Sequence, residues 1–389
     1  MNRAVIVDAV RTPIGKFGGA LLGLTAADLT THVIRALVTR NHLEPTEVDE
    51  VILGQVLQAG TGVNVARTAA LRAGLPDSIC GLTVNMVCAS GMRAIDLACQ
   101  GVKIGNGRLY IAGGTESMSN APFYLKELRW GRRLGSASLV DSLAAEALQC
   151  PITGMAMGLT AEEVATRTGI TREESDAWAL RSQQRARAAI ETGRFKDEIV
   201  PVPREGTDPF AVDEHPRETS LKALAALKSA FGDGGCVTAG NASGINDGAA
   251  ALVIAEAAFV KDRGWKPRAT ILGAAQAGVE PAVMGLGPVP AVQKLCHQIG
   301  VEPDHFELVE LNEAFAVQAL AVMRALTLDE ERVNVNGGAV ALGHPLGASG
   351  ARIVVSLLYE MERRNARLGL ATLCVGGGMG MAMAIQREV

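Results

Sequence analysis

Cys88, His344 and Cys374 each stand beside a run of small residues, a pairing suited to nucleophilic and proton-transfer chemistry. Cys88 lies in Val84-Asn85-Met86-Val87-Cys88-Ala89-Ser90-Gly91, ahead of a helical stripe of Met92, Ile95, Cys99 and Val102. A strand-to-helix turn there puts the thiol at a helix N-terminus, where free N–H groups and the dipole stabilise a thiolate. Ala89, Ser90 and Gly91 leave room for a substrate. The segment also reads as a buried structural cysteine. His344 sits in the glycine-rich stretch Asn336-Gly337-Gly338-Ala339-Val340-Ala341-Leu342-Gly343-His344-Pro345-Leu346-Gly347-Ala348-Ser349-Gly350. Such loops bring backbone close to a ligand. A His there could deprotonate a cysteine, hold an oxyanion, or simply bond a turn carbonyl. Cys374 precedes Val375-Gly376-Gly377-Gly378, whose N–H groups could form an oxyanion hole around a cysteine acid/base. A buried strand cysteine is the other reading. A phosphate loop is disfavoured, because neither Lys-Ser/Thr nor a clear GxGxxG is present. Asn312-Glu313-Ala314-Phe315 follows the apolar Leu308–Leu311. Polar groups just past a strand end are where α/β folds place function. Asn312 could orient a water or donate to an oxyanion, and Glu313 could instead be a helix-cap acid.

The elements that must carry these residues are written twice. Arg3-Ala-Val-Ile-Val-Asp resembles Arg268-Ala-Thr-Ile-Leu-Gly, and Glu50–Gly54 resembles Leu308–Asn312. Cys88-Ala-Ser-Gly91 resembles Gly347-Ala-Ser-Gly350, and Leu109–Gly114 resembles Leu373–Gly378. The offsets are 268 − 3 = 265, 308 − 50 = 258, 349 − 90 = 259 and 373 − 109 = 264. Four weak matches in one order suggest an internal duplication. Apolar runs at Ala4–Ala9, Val51–Leu53 and Leu109–Ala112 predict strands, and Thr25–Thr39 and Ser90–Val102 predict helices. Their alternation predicts α/β halves with buried sheets. Residues 118–244 are richer in charge, with a helical stretch at Thr171–Thr192 and a proline-bearing loop at Val202–Arg217. We expect residues 1–117 with 245–267 to form one half, 118–244 an inserted segment covering the site, and 268–389 the other half.

Composition narrows the function classes. Hydrophobic residues make up 48% and charged residues 20%, an ordinary globular balance for a chain of 389 residues. Net charge is −4 with no long basic run, which argues against nucleic acid as partner. No run of 18 apolar residues predicts a membrane span. The opening Met-Asn-Arg-Ala-Val-Ile-Val lacks signal-peptide features, and Arg387-Glu388-Val389 is not a peroxisomal signal. Seven widely spaced cysteines without CxxC or zinc spacing suggest neither a disulfide framework nor a metal site. A reduced, cytoplasmic protein is expected.

Taken together, these strings resemble the thiolase family. Val84–Gly91 is similar to its nucleophile motif, Asn334–Gly350 to its second motif and Gly369–Ala382 to its third. Asn312–Phe315 and Gly240–Gly248 add two more, so the resemblance runs from Ala4 to Ile385. It implies a duplicated, layered α-β-α-β-α fold with an inserted loop domain. It also implies ping-pong acyl transfer between acyl groups carried on coenzyme A, forming or cleaving 3-oxoacyl-CoA. Coenzyme A and acetyl-CoA would be substrates, with no permanently bound cofactor. By the same resemblance Cys88 carries the acyl group, His344 takes its proton and Cys374 removes a proton from acetyl-CoA C2. His344 and a water held by Asn312 would stabilise the enolate, and the N–H groups of Cys88 and Gly376 the tetrahedral intermediate.

Ser243 and Ala239 match the family's pantetheine contacts, and Met157, Phe231, Met284, Ala314 and Phe315 its apolar lining. Arg217 and the cations near Arg129–Arg133 are candidates for the phosphates, or a solvated charged face. Many acetoacetyl-CoA-forming members carry a His where this chain has Ala156, which opens the question of longer acyl chains. A homodimer or homotetramer is implied. A ketoacyl-synthase-type enzyme, a cysteine hydrolase and a non-catalytic acyl-CoA binder are the competing readings. Cys374 and the single Gly-His-Pro argue against the first.

Overall fold

The computed structural model describes residues 2–387; Met1, Glu388 and Val389, including the last residues of the C-terminal string read above, lie outside them. Nine strands carry the architecture: β1 (Ala4–Arg11), β2 (Glu50–Gly54), β3 (Cys80–Val84), β4 (Leu109–Ser117), β5 (Asn246–Glu256), β6 (Ala269–Gly278), β7 (Leu308–Leu311), β8 (Leu368–Val375) and β9 (Met379–Arg387). Eight helices pack on them: α1 (Ala26–Arg40), α2 (Val65–Arg72), α3 (Ser90–Ile104), α4 (Met157–Thr168), α5 (Arg172–Glu191), α6 (Pro288–Ile299), α7 (Ala316–Leu326) and α8 (Leu346–Arg364). Local signals set their ends. Thr25 and Thr171 open α1 and α5 with reciprocal capping boxes to Asp28 and Glu174. Gly105 closes α3 at φ +76°, a conformation glycine adopts without a Cβ clash. The proline-bearing stretch expected as loop instead holds a small hairpin, Val202–Arg204 with Thr207–Phe210. Val202 and Phe210 bury against the core, which outweighs the proline signal.

Hydrogen bonding orders the strands β7-β8-β9-β6-β1-β5-β4-β2-β3, with the short strand Gly15–Lys16 added to β5. The middle of that order displays the duplication. β1 and β6 pair antiparallel with Val5 opposite Thr270, residues 265 apart (270 − 5), so a local twofold passes between them. The register break between Ile6 and Asp8 in β1 recurs between Ile271 and Gly273 in β6, at the same offset. Pairing outward from this point sets Leu109 against Ala255 and Leu368 against Gln386. Leu109 therefore corresponds to Leu368, an offset of 368 − 109 = 259. The sequence match of Leu109–Gly114 with Leu373–Gly378 was thus slipped by five residues (264 − 259). Short apolar strings ending in glycines align equally well in several registers, whereas ladder pairing admits one.

Strand periodicity then divides the core. Ala4, Ile6, Tyr110 and Ala112 point to one side with Leu308, Ala371, Leu373 and Val375, around α3 and α8. Val5, Val7, Leu109 and Ile111 point the other way, onto α1 and α2. Val309, Leu311 and Leu370 face α6 and α7. The result is five layers, with α3 and α8 between the two halves of the sheet. α8 is buried along Leu346–Met361. The central crossing is close: a Cβ on Gly350 would stand 2.6 Å from the Met92 nitrogen, and one on Gly91 2.8 Å from the Gly347 oxygen.

Candidate active site

The turn before α3 positions Cys88 by holding Val87 at φ +48°. A β-branched residue in that region costs about 1–3 kcal/mol and persists only where its surroundings fix it. Three bonds do so. Asn85 Oδ1 accepts from the Val87 N–H at 2.9 Å, Ser90 Oγ accepts from the Met86 N–H at 2.9 Å, and the same hydroxyl donates to the Val87 carbonyl at 2.6 Å. The Gly376 N–H and the residue's own N–H both face the Cys88 sulfur. Burial nevertheless pushes the thiol up to about 11, with the nearby Glu116 charge adding to the effect. The thiolate expected from the helix dipole is therefore corrected to a resting thiol. α3 begins at Ser90, beyond Cys88, and desolvation outweighs the two N–H contacts.

The His344 imidazole is held by Ser349. Its Nδ1 lies 2.6 Å from Ser349 Oγ, and that hydroxyl donates its one proton to the Pro345 carbonyl at 2.9 Å. Ser349 must then accept, so the imidazole proton sits on Nδ1 and Nε2 is bare. Nε2 is buried and has no hydrogen-bond partner among the described residues. Burial and the Arg352 charge lower the imidazole to about 3, so His344 is neutral at rest. In the sequence Ser349 belongs to both the His344 stretch and the repeat, but nothing there marks its bond to the ring. Its twin Ser90 bonds the Cys88 turn, so one serine of the duplicated pair shapes the backbone before Cys88 and the other fixes the tautomer of His344.

Cys374, near the end of β8, is fully buried, and burial together with the neighbouring Cys88 pushes its thiol well above the ordinary range. Asn312, just past β7, is also fully buried, and neither its Oδ1 nor its Nδ2 has a partner among the described residues. Glu313, by contrast, is consumed structurally: it accepts from Trp178 Nε1, Ser182 Oγ, Asn334 Nδ2 and the Val340 N–H. Glu116, which the sequence reading missed, accepts the N–H groups of Val56, Leu57 and Gly347 at 3.0, 3.1 and 2.8 Å. It ties the start of α8 to the loop after β2. Nothing in its surroundings in the sequence marks it.

Cys88, His344 and Gly376 line one cavity of about 270 Å³, together with Met157, Phe231, Ser243, Met284, Ala314 and Phe315. Ala156 lines it as well, alongside Met118, Ala147, Leu148 and Leu346, which the sequence did not single out. Cys374 and Asn312, both fully buried, are not among its lining residues. Ala239 and Arg217 do not line it: both are exposed, and Arg217 Nη2 donates to the Ala239 carbonyl at 2.6 Å. Arg132, one of the other phosphate candidates, pairs with Glu127. Among the described residues no three metal-ligating side chains gather into a group.

Residues 4–258 match the thiolase N-terminal domain family and residues 265–387 the thiolase C-terminal domain family. The acetyl-CoA acetyltransferase of Escherichia coli K12 is 52% identical over 392 residues, covering 100% of both chains. That of Syntrophomonas wolfei is 49% identical, covering 99% of both chains. Crystal structures agree in shape. Bacillus anthracis acetyl-CoA acetyltransferase superposes with a TM-score of 0.97 at 48% identity, covering 100% of this chain and 99% of that one. Human mitochondrial 3-ketoacyl-CoA thiolase gives 0.97 at 43%, with the same coverage. With two family domains spanning nearly all of it and a relative about half identical over its full length, this chain belongs to the thiolase family.

Proposed function

We propose that the chain is an acyltransferase of the acetyl-CoA acetyltransferase or 3-ketoacyl-CoA thiolase type, working through an acyl group on Cys88. The observation that carries this is a thiol facing the Gly376 N–H in the same apolar cavity as the bare Nε2 of His344. Cys88 attacks the thioester carbonyl, and Nε2 takes its proton. The oxyanion is held by the Cys88 and Gly376 N–H groups, each such donor contributing on the order of 10²–10³-fold in rate. Burial makes Cys374 a thiol at rest, so it can act as a base only after losing its proton, and the departing CoA thiolate is the acceptor at hand. Cys374 then takes the C2 proton of acetyl-CoA, and the carbanion attacks acyl-Cys88. His344 keeps its proton until that point. Because it does, Nε2 can donate to the enolate oxygen as the carbanion forms, beside the free amide of Asn312. Expelled Cys88 thiolate finally recovers the proton from His344, and every group returns to its starting state. Cleavage runs the same steps backwards.

Coenzyme A binding is assigned to the cavity walls at Ser243, Met157, Phe231 and Met284. Ala239 and Arg217 are retained only as candidates for the outer part of the ligand. Ala156, Ala147 and Leu148 give the acyl end small or flexible apolar neighbours, which favours 3-oxoacyl chains beyond four carbons. The division into 1–117 with 245–267, 118–244 and 268–389 is supported by β5 returning between β4 and β1. Phe123, Leu128, Trp130, Leu134 and Leu139, close in sequence on the inserted segment, are each exposed. Exposed apolar side chains of this kind suit burial against a second copy, and a monomer mass by light scattering would remove the homodimer or homotetramer reading. All seven cysteines are free, which fits a reducing cytoplasm; cell fractionation checks it.

Mass spectrometry tests the central reading. Incubation with acetyl-CoA should leave one acetyl group on the peptide holding Cys88, and 3-oxohexanoyl-CoA should leave a butanoyl group there. Cys88→Ser should abolish turnover, and Cys374→Ala should block condensation. An unmodified Cys88 peptide overturns the mechanism, and an acetyl adduct without a butanoyl one overturns the longer-chain preference.

A further inference from the structure

A buried ion pair lies behind the base, outside the reacting groups. Arg352 stands three residues after Ser349 on α8, on the same face, and its charge reaches His344. Its Nη1 donates to Glu310 Oε2 at 3.1 Å, and both side chains are 3–5% exposed. Arg352 Nε and Nη2 have no partner among the described residues. Glu310 lies on β7 two residues before Asn312, so both point to the inner face. The pair thus joins the helix that orients His344 to the strand end that carries Asn312.

The neighbouring acids are committed elsewhere. Glu198, from the segment after α5, binds Arg11 and Ser356. Glu313 holds the four donors described above. Glu360, on α8, binds Arg364, Arg363 and Asn336. Glu310 is therefore the one carboxylate paired with Arg352 among the described residues. The duplication sharpens the point. At the corresponding offsets, 310 − 258 = 52 and 352 − 259 = 93, the first half has Ile52 in place of the acid, and Arg93 pairs with Asp96 on its own helix. Only the half that supplies the histidine carries the buried pair.

We propose that the Arg352–Glu310 pair sets the proton affinity of His344, with Glu310 a positioning residue that cancels the Arg352 charge while the imidazolium exists. The inference rests on the acyl-transfer reading, in which His344 keeps the Cys88 proton from acylation until carbon–carbon bond formation. Arg352 alone would drive that proton off. Glu310 ionised beside it leaves a neutral pair. Burial and the neighbouring acids, Glu198, Glu313 and Glu360, raise Glu310 to about 8, with Arg352 opposing them. Below that pH Glu310 is protonated, Arg352 is uncompensated and His344 is a weaker base; above it the pair is neutral. Acylation should therefore rise with pH across this ionisation.

The test is the single-turnover release of CoA from acetyl-CoA between pH 6 and 9, with Cys88 acetylation read by mass spectrometry and folding by thermal melting. In the wild type, release should accelerate between pH 7 and 9. Glu310→Gln should slow it about tenfold or more and remove the rise, one unit of imidazole pKa being tenfold in proton affinity. Glu310→Gln with Arg352→Met should recover most of the rate, because the uncompensated cation is gone. A merely structural pair gives the opposite: the double variant as slow as Glu310→Gln. That result overturns the proposal, as does a Glu310→Gln profile that matches wild type. Where a variant fails to fold, the wild-type profile decides, and a flat one overturns the proposal. An absent acetyl group on wild-type Cys88 overturns the acyl-transfer reading and this proposal with it, whereas a wild-type-like Glu310→Gln overturns this proposal alone.

Discussion

At the level of single residues, the site runs on two neutral groups. A thiol raised to about 11 and an imidazole lowered to about 3 leave both partners uncharged across the physiological range. In the proposed acyl transfer, proton transfer then accompanies attack, with no thiolate waiting for the substrate. The sign is testable in the free protein. Because the thiol is raised, its reactive thiolate fraction grows about tenfold for each pH unit up to about 10. Alkylation of Cys88 by iodoacetamide, read by mass spectrometry, should climb steadily from pH 7 to 10. A plateau between pH 5 and 9 would mean a preformed thiolate–imidazolium pair and would sink this account. Cys88 and His344 stood out in the sequence beside small residues, but only the whole set of strings set them apart from a structural cysteine and a turn-bonding histidine. Ser349, Glu116 and Arg352 did not stand out, because serine, glutamate and arginine are ordinary helix and strand-end residues. Only burial and hydrogen-bond pairing reveal their work. Glu310 was hidden in plain view, inside a strand read as simply apolar.

At the level of elements, positions rather than side chains decide whether Cys88 and His344 meet. α3 and α8 cross where Gly91 and Gly350 let backbone approach backbone. A methyl on Gly350 would stand 2.6 Å from the Met92 nitrogen and 2.9 Å from its Cβ, so α3 must move. Gly350→Ala should therefore cost about 1–3 kcal/mol of stability, the usual penalty of overpacking. It should also slow acylation, because Cys88 sits in the turn that leads into α3 and α8 follows His344. Chemical denaturation and CoA release measure the two effects on one preparation. An unchanged stability with unchanged acylation would mean that the helices adjust freely at this crossing. Strand and helix positions were largely legible, since capping threonines and apolar periodicity are local signals. The hairpin at residues 202–210 and the register of β8 were not. Each depends on partners distant in the chain, and register in particular is a property of the ladder rather than of the string.

At the level of the whole molecule, duplication explains why the catalytic set is divided. Each half supplies a strand-end loop and a central helix, yet only the first holds a cysteine at the turn and only the second holds His344, Asn312 and Cys374. Neither half is complete, because the Cys88 sulfur faces a glycine N–H from β8's end. Neither half can bury its inner face alone either. Ala4, Ile6, Tyr110, Ala112 and the inner side of α3 pack against residues of β7, β8 and α8. Removing the partner would return that apolar surface to water at roughly 25 cal/mol per Å². A break at the exposed turn around Gly264 would cut no strand or labelled helix. Segments 1–264 and 265–389 produced together should therefore assemble, co-purify and take one acetyl group on Cys88 from acetyl-CoA. Segment 1–264 produced alone should take none, since the Gly376 N–H and the His344 base are missing. Acetylation of the isolated first segment at the rate of the assembled pair would show that the first half carries the chemistry by itself, and the complementary-halves account would fail.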